Sequence, residues 1–134
     1  MQAWILIVQA LHVLPAVFWA GSTFVLARTG GAEAERLVPA QVGSMSAAII
    51  AGAILWHLTH PAFDVTEQVL AAGAACAILA GVIQLIVALP AVRAMKRAEI
   101  AATVPLRRKV AMAERLASLL LAITLICMVA TRYV

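Results

Sequence analysis

The sequence predicts an all-α fold: a single domain over residues 1–134, built as an integral membrane four-helix bundle with both termini on the outer side. Three observations lead there. Hydrophobic residues fill 65% of the 134 positions and charged residues 12%, against about 45–50% and about 25% in soluble domains. So short a chain has too little interior to hide that much apolar surface from water, so the surplus must face lipid. The apolar residues also fall into four runs of the length, about 20 residues, that a helix needs to cross a bilayer. Finally, the Lys and Arg residues gather in alternate connections.

The expected spans are 3–27, 38–58, 69–92 and 111–131. The first holds no charge, and no cleaved signal peptide is expected at its start, because no basic segment precedes an apolar run too long for a signal. Lipid offers no hydrogen bonds, so each run must satisfy its backbone as a helix. RTGGAEAERLVPA, with Gly-Gly and a proline, reads as a polar loop. HPAFDVTEQ reads as a short turn with Pro61 closing the second helix. RAMKRAEIAATVPLRRK reads as a long basic connection, part of it an interfacial helix. Glu114 and Arg115 then fall in the first turn of the fourth span, where helix-end electrostatics account for them.

Arg28 and Arg36 in the first connection join Arg93, Lys96, Arg97, Arg107, Arg108 and Lys109 in the third, eight on one side against Arg132 alone on the other. The positive-inside rule puts the first and third connections in the cytoplasm. The formal net charge of +4 is thereby a topology signal, and no nucleic-acid partner is expected. Cys76 and Cys127 lie in apolar runs and read as small buried hydrophobes rather than a disulfide.

Helices in lipid associate through small residues. Ser44, Ala48 and Gly52 on the second helix, and Gly73, Ala77 and Gly81 on the third, recur every four residues. Both stripes should face other helices, and either could serve a homodimer. Short connections place helix one beside two, and two beside three.

The chemistry rests on three histidines, His12, His57 and His60, all in the outer half on this topology. His12 lies about 13 Å below the outer surface at 1.5 Å per residue. An ionisable residue inside a span is costly and marks a site; the alternative is a neutral imidazole bonded to a neighbouring helix. Three chemistries suit such histidines: axial ligation of haem between facing helices, a copper or zinc site with His57 and His60 at i, i+3 and His12 as third ligand, and a proton relay or quinone site. Gln9, Ala16, Trp19 and Thr23 share the face of His12, and small Ala16 leaves room for a flat ligand. Arg132 at the outer edge could pair a haem propionate. No Gly-rich phosphate loop, nucleophile elbow or CxxCH haem-attachment motif occurs, and no catalytic residue is assigned.

LHVLPAVFWAGSTFVLA resembles the first-helix pattern of a bacterial inner-membrane group, in which a His is followed by small and apolar residues and a Trp-x-Gly. The group includes the copper-resistance protein D domain and the HemJ-type haem proteins linked to protoporphyrinogen oxidation. The matching residues are His12, Trp19 and Gly21, about one helix of the chain. The resemblance implies a four-helix inner-membrane protein associated with haem or copper. The expectation is therefore a multi-pass protein of the bacterial inner membrane holding non-covalent haem b near its outer face. His12 and His57 would be its axial ligands, and a quinone or redox protein its electron partner. The alternatives are a copper-handling protein using His12, His57 and His60, or a cofactor-free scaffold subunit.

Overall fold

The structure, a computed structural model, describes residues 1–60 and 62–134. Four helices long and apolar enough to cross a membrane make up nearly all of it: α1 (Gln2–Arg28), α2 (Ala34–Thr59), α3 (Val65–Met95) and α4 (Ile100–Ala130). The number of spans is as the sequence predicts; their lengths are not. α3 and α4 run on into the basic segment between them, so the long connection expected over Arg93–Lys109 shrinks to residues 96–99. Arg107, Arg108 and Lys109 sit on a continuous helix, where charged side chains can reach out from a helix end. Pro61, expected to close α2, lies outside the described residues.

Local chemistry sets the turns. Between α1 and α2 the chain reverses through Gly30 and Gly31 at φ +67° and +84°, a region open to glycine at little cost. Gly31 has a second reason to be glycine: a Cβ there would stand 2.8 Å from the Arg107 carbonyl oxygen of α4. Arg107 Nη1 donates to Gly31 O at 3.1 Å, and its guanidinium pairs with Glu35, clamping the turn to α4. At the other end, Asp64 caps α3. Its Oδ1 accepts from the Thr66 and Glu67 N–H groups at 2.8 and 3.3 Å, and Glu67 Oε2 accepts from Asp64 N–H at 2.9 Å, a reciprocal capping box. The Glu67 side chain foremost, then these N–H groups, hold the Asp64 carboxyl below its ordinary range.

Inside α3, Gln84–Ala88 widens into a π turn, with Leu89 N–H bonding Gln84 O. Pro90 has no N–H for the Ile86 carbonyl and its ring crowds that turn, so an i→i+5 turn accommodates it.

α1 packs along α2, α3 along α4, and α1 also runs beside α4. The expectation that α2 lies against α3 holds only at the basic end, where α2 meets Leu89–Met95; the two are otherwise nearly out of contact. The small-residue stripes explain the pairing. Gly73 lets α3 seat on α4, where a Cβ would meet Cys127 Cβ at 2.8 Å, and Thr124 Oγ1 donates to Gly73 O at 2.9 Å. Gly81 receives Met45 of α2. The stripe on α3 is thus used inside the bundle. Both cysteines are free.

The interior is layered. Leu26, Val38, Val92, Met95 and Val110 seal the basic end. Trp19, Met45, Ala80, Ala117 and Leu121 form a second apolar layer further in. Polar side chains lie between these layers, and beyond the second a cavity opens toward the end of the bundle that carries His57 and His60.

Candidate functional site

The cavity has a volume of about 650 Å³ and is walled by all four helices; its surface is mostly apolar, with Gln9, His12, His57, Thr59, His60 and Thr124 among the lining residues. Its volume is in the range of small-molecule and cofactor sites, about 300–1,000 Å³. His12, Ala16, Trp19, His57 and His60 all line it. Residues singled out from two separate helices are therefore brought to one place.

His12 is the most firmly held of the three. Its Nδ1 lies 2.7 Å from Ala48 O of α2. A carbonyl oxygen can only accept, so Nδ1 carries the proton, and in the neutral ring Nε2 keeps its lone pair. The ring rests on Gly52: a Cβ there would stand 2.9 Å from His12 Cε1 and 3.1 Å from Nδ1. Gly52 and Ala48 thus make a seat one turn of α2 long. Metal-binding histidines nearly always engage their second nitrogen in this way.

His57 is exposed. It follows Gly52, on which the His12 ring rests, by five residues, about 7.5 Å along α2, so the two histidines sit at different depths. His60 is half-buried, its ring centroid 6.2 Å from that of Trp56. Thr59 Oγ1 donates to Leu55 O at 2.7 Å and so accepts from His60 Nδ1 at 2.6 Å. Among the described residues no three of His, Cys, Asp and Glu stand close enough to hold one metal ion. His12, His57 and His60 therefore do not assemble the three-ligand copper or zinc site expected of them. Haem asks less of the chain: one imidazole nitrogen with a free lone pair, facing an apolar slot. His12 lines a mostly apolar cavity, and its Nε2 makes no hydrogen bond among the described residues. Arg132 does not line the cavity; it is exposed in the turn after α4. Gly21, the third residue of the first-helix pattern, faces open space.

Sequence reasoning missed a second feature, the polar layer beneath the cavity. Glu114, Gln41, Gln84 and Thr23 are each 0% exposed. Gln84 Nε2 donates to Glu114 Oε2 at 3.0 Å and to Thr23 Oγ1 at 3.0 Å. Gln41 Nε2 donates to the same two oxygens at 3.2 and 2.9 Å. Thr23 Oγ1 in turn donates to Trp19 O at 2.7 Å. Trp19 connects layer and cavity, since its Nε1–H donates to Gln84 Oε1 at 2.7 Å while the ring lines the cavity wall. Gln84 belongs to the π turn, so the irregularity in α3 coincides with the polar cluster, a frequent association.

Glu114 requires a correction. It is not in the first turn of a helix but fourteen residues into α4, so no helix end explains it. Its neighbour Arg115 is exposed and points elsewhere, its Nε donating to Ala27 O at 3.3 Å. The available signal was Gln41, Gln84 and Glu114 as single polar residues inside otherwise apolar runs. No family model, curated protein or solved structure matches the chain, so its function has to be argued from the cavity and the polar layer.

Proposed function

We propose that the protein is a multi-pass protein of the bacterial inner membrane that holds haem b in the four-helix cavity for electron transfer or redox chemistry. His12 would be one axial ligand and His57 the other. One observation carries the reading: His12 has its Nδ1–H engaged by Ala48 O and, among the described residues, no partner at Nε2, in a ring that lines a large, mostly apolar cavity. Haem, when bound, supplies one-electron chemistry. The chain's own part is to bind and tune it. The Ala48 carbonyl fixes the tautomer and raises the basicity of the ring. Ala16 and Gly52 keep space beside the ring, and the cavity surface is mostly apolar. A quinone or small redox protein would exchange electrons at the histidine end, and a homodimer is compatible with the apolar outer faces.

Haem reconstitution of the purified protein tests this. The wild type should develop a Soret band at one haem per chain. His12→Ala should lose it, and His57→Ala should convert a six-coordinate spectrum to a five-coordinate one. His60→Ala should change neither. A protein that stays colourless with ample haem overturns the reading.

A second reading has its own support. The His12–Ala48 hydrogen bond joins α1 to α2, as a cofactor-free scaffold would use it. On that reading His12→Gln alters stability alone.

A further inference from the structure

The polar layer leaves two oxygens without a partner. Gln41 Oε1 and Glu114 Oε1 are fully buried and accept no hydrogen bond from any described residue. Both are acceptors, and both belong to side chains already joined through Gln41 Nε2 and Glu114 Oε2. Buried acceptors are costly to leave unmet. Only a donor brought to these two oxygens completes the cluster.

The surroundings restrict what that donor is. The sole ion pair among the described residues is Arg107 with Glu35, near the basic end. The helices around Glu114 present uncharged groups: Ser22, Thr23 and Trp19 from α1, Gln41 from α2 and Gln84 from α3. On α4 itself Arg115 turns to Ala27 O. An ionised Glu114 would be a buried charge held by two amides alone, in a low-dielectric interior, and such a charge is neutralised or paired. A metal ion fits poorly. Glu114 Oε2 already faces two N–H donors, and no three metal-ligating groups gather here.

We propose that Glu114 is a membrane-embedded proton-binding site, with the proton held on Oε1. One O–H bond forms there as hydronium gives up a proton and becomes water, and the unmet acceptor Oε1 becomes a donor. On release the proton returns to water and the carboxylate is left with its two amide donors. Gln84 bridges Glu114 to Trp19, so the state of the site is felt at the cavity wall. The site stands whether or not the cavity holds haem.

Infrared difference spectroscopy of the cofactor-free protein in lipid nanodiscs tests it. At neutral pH the wild type should show a protonated-carboxyl C=O stretch, shifted in D₂O and absent in Glu114→Gln. That variant places an NH₂ donor where the O–H would be, so it should fold and melt like the wild type, whereas Glu114→Leu should melt lower. A spectrum without the band, or one in which Glu114→Gln retains it, overturns the proposal. So does stabilisation of the wild type, but not of Glu114→Gln, by sodium or potassium chloride over choline chloride at equal ionic strength; that result would make the site a cation site.

Discussion

Replacing Gly52 by alanine tests the seat of His12. The new Cβ would begin 2.9 Å from His12 Cε1 and 3.1 Å from Nδ1, so the ring must retreat by roughly half an ångström to reach ordinary contact. The bond from Nδ1 to Ala48 O, 2.7 Å in the native seat, lengthens or breaks as it does. Overpacking costs about 1–3 kcal/mol, and losing the hydrogen bond a further 0.5–1.5 or so. Removing a helical glycine returns about 0.5–1 kcal/mol. The expected net is a loss of about 0.5–4 kcal/mol in denaturant titrations of the protein in detergent. Haem affinity should fall about 10- to 100-fold, the usual effect of disturbing the group that orients a ligating histidine. Gly21→Ala is the control, because a Cβ at Gly21 meets nothing within 4 Å; it should be neutral or slightly stabilising. Equal behaviour of the two variants would refute the argument.

Other perturbations have equally definite outcomes. Trp19→Phe keeps an aromatic ring, though a smaller one, and removes the donor to Gln84 Oε1; stranding that buried oxygen should cost about 1–3 kcal/mol in the same titration. Gly31→Ala combines a positive φ with a Cβ 2.8 Å from a backbone oxygen; the backbone strain alone costs about 1–3 kcal/mol, and expression of folded protein should drop sharply. The Asp64 carboxyl titrates below its ordinary range because of its partners at the start of α3. Its stabilising effect should therefore be complete above about pH 4, the unfolded value, and vanish as pH falls through the lower folded value. Thermal melts of wild type and Asp64→Ala should differ at pH 6 and converge in strong acid.

The four spans were legible because lipid imposes one requirement on all of them, and composition reports it directly. The gathering of His12, Ala16 and Trp19 was legible too, since a shared helical face needs only the 3.6-residue repeat. Helix ends were less so. Asp64 and Glu67 spell out a capping box in sequence, but a span read from hydropathy alone starts at Val69 and does not register it. The start of α4 at Ile100 was hidden because Arg107, Arg108 and Lys109 look like a loop when hydropathy alone marks the helix. That error misplaced Glu114 at a helix end. The polar layer could not be assembled from sequence by any local rule. Gln41, Gln84 and Glu114 come from three helices, and their common depth depends on packing register and on the π turn that Pro90 accompanies. The failure of α2 to run beside α3 has a similar origin. Connection length suggests neighbours, but the missing Cβ of Gly73 seats α3 on α4 instead.

On the proposed function, the His12 imidazole, seated on Gly52 and Ala48, is what the cavity would offer a haem iron. His12→Gly followed by addition of free imidazole tests it most directly, with absorption spectra of the haem-reconstituted protein as the readout. The variant should lack the Soret complex, and imidazole, entering the space the ring vacates, should restore it. A His12→Gly protein that binds haem as tightly as the wild type, with no response to imidazole, would contradict it.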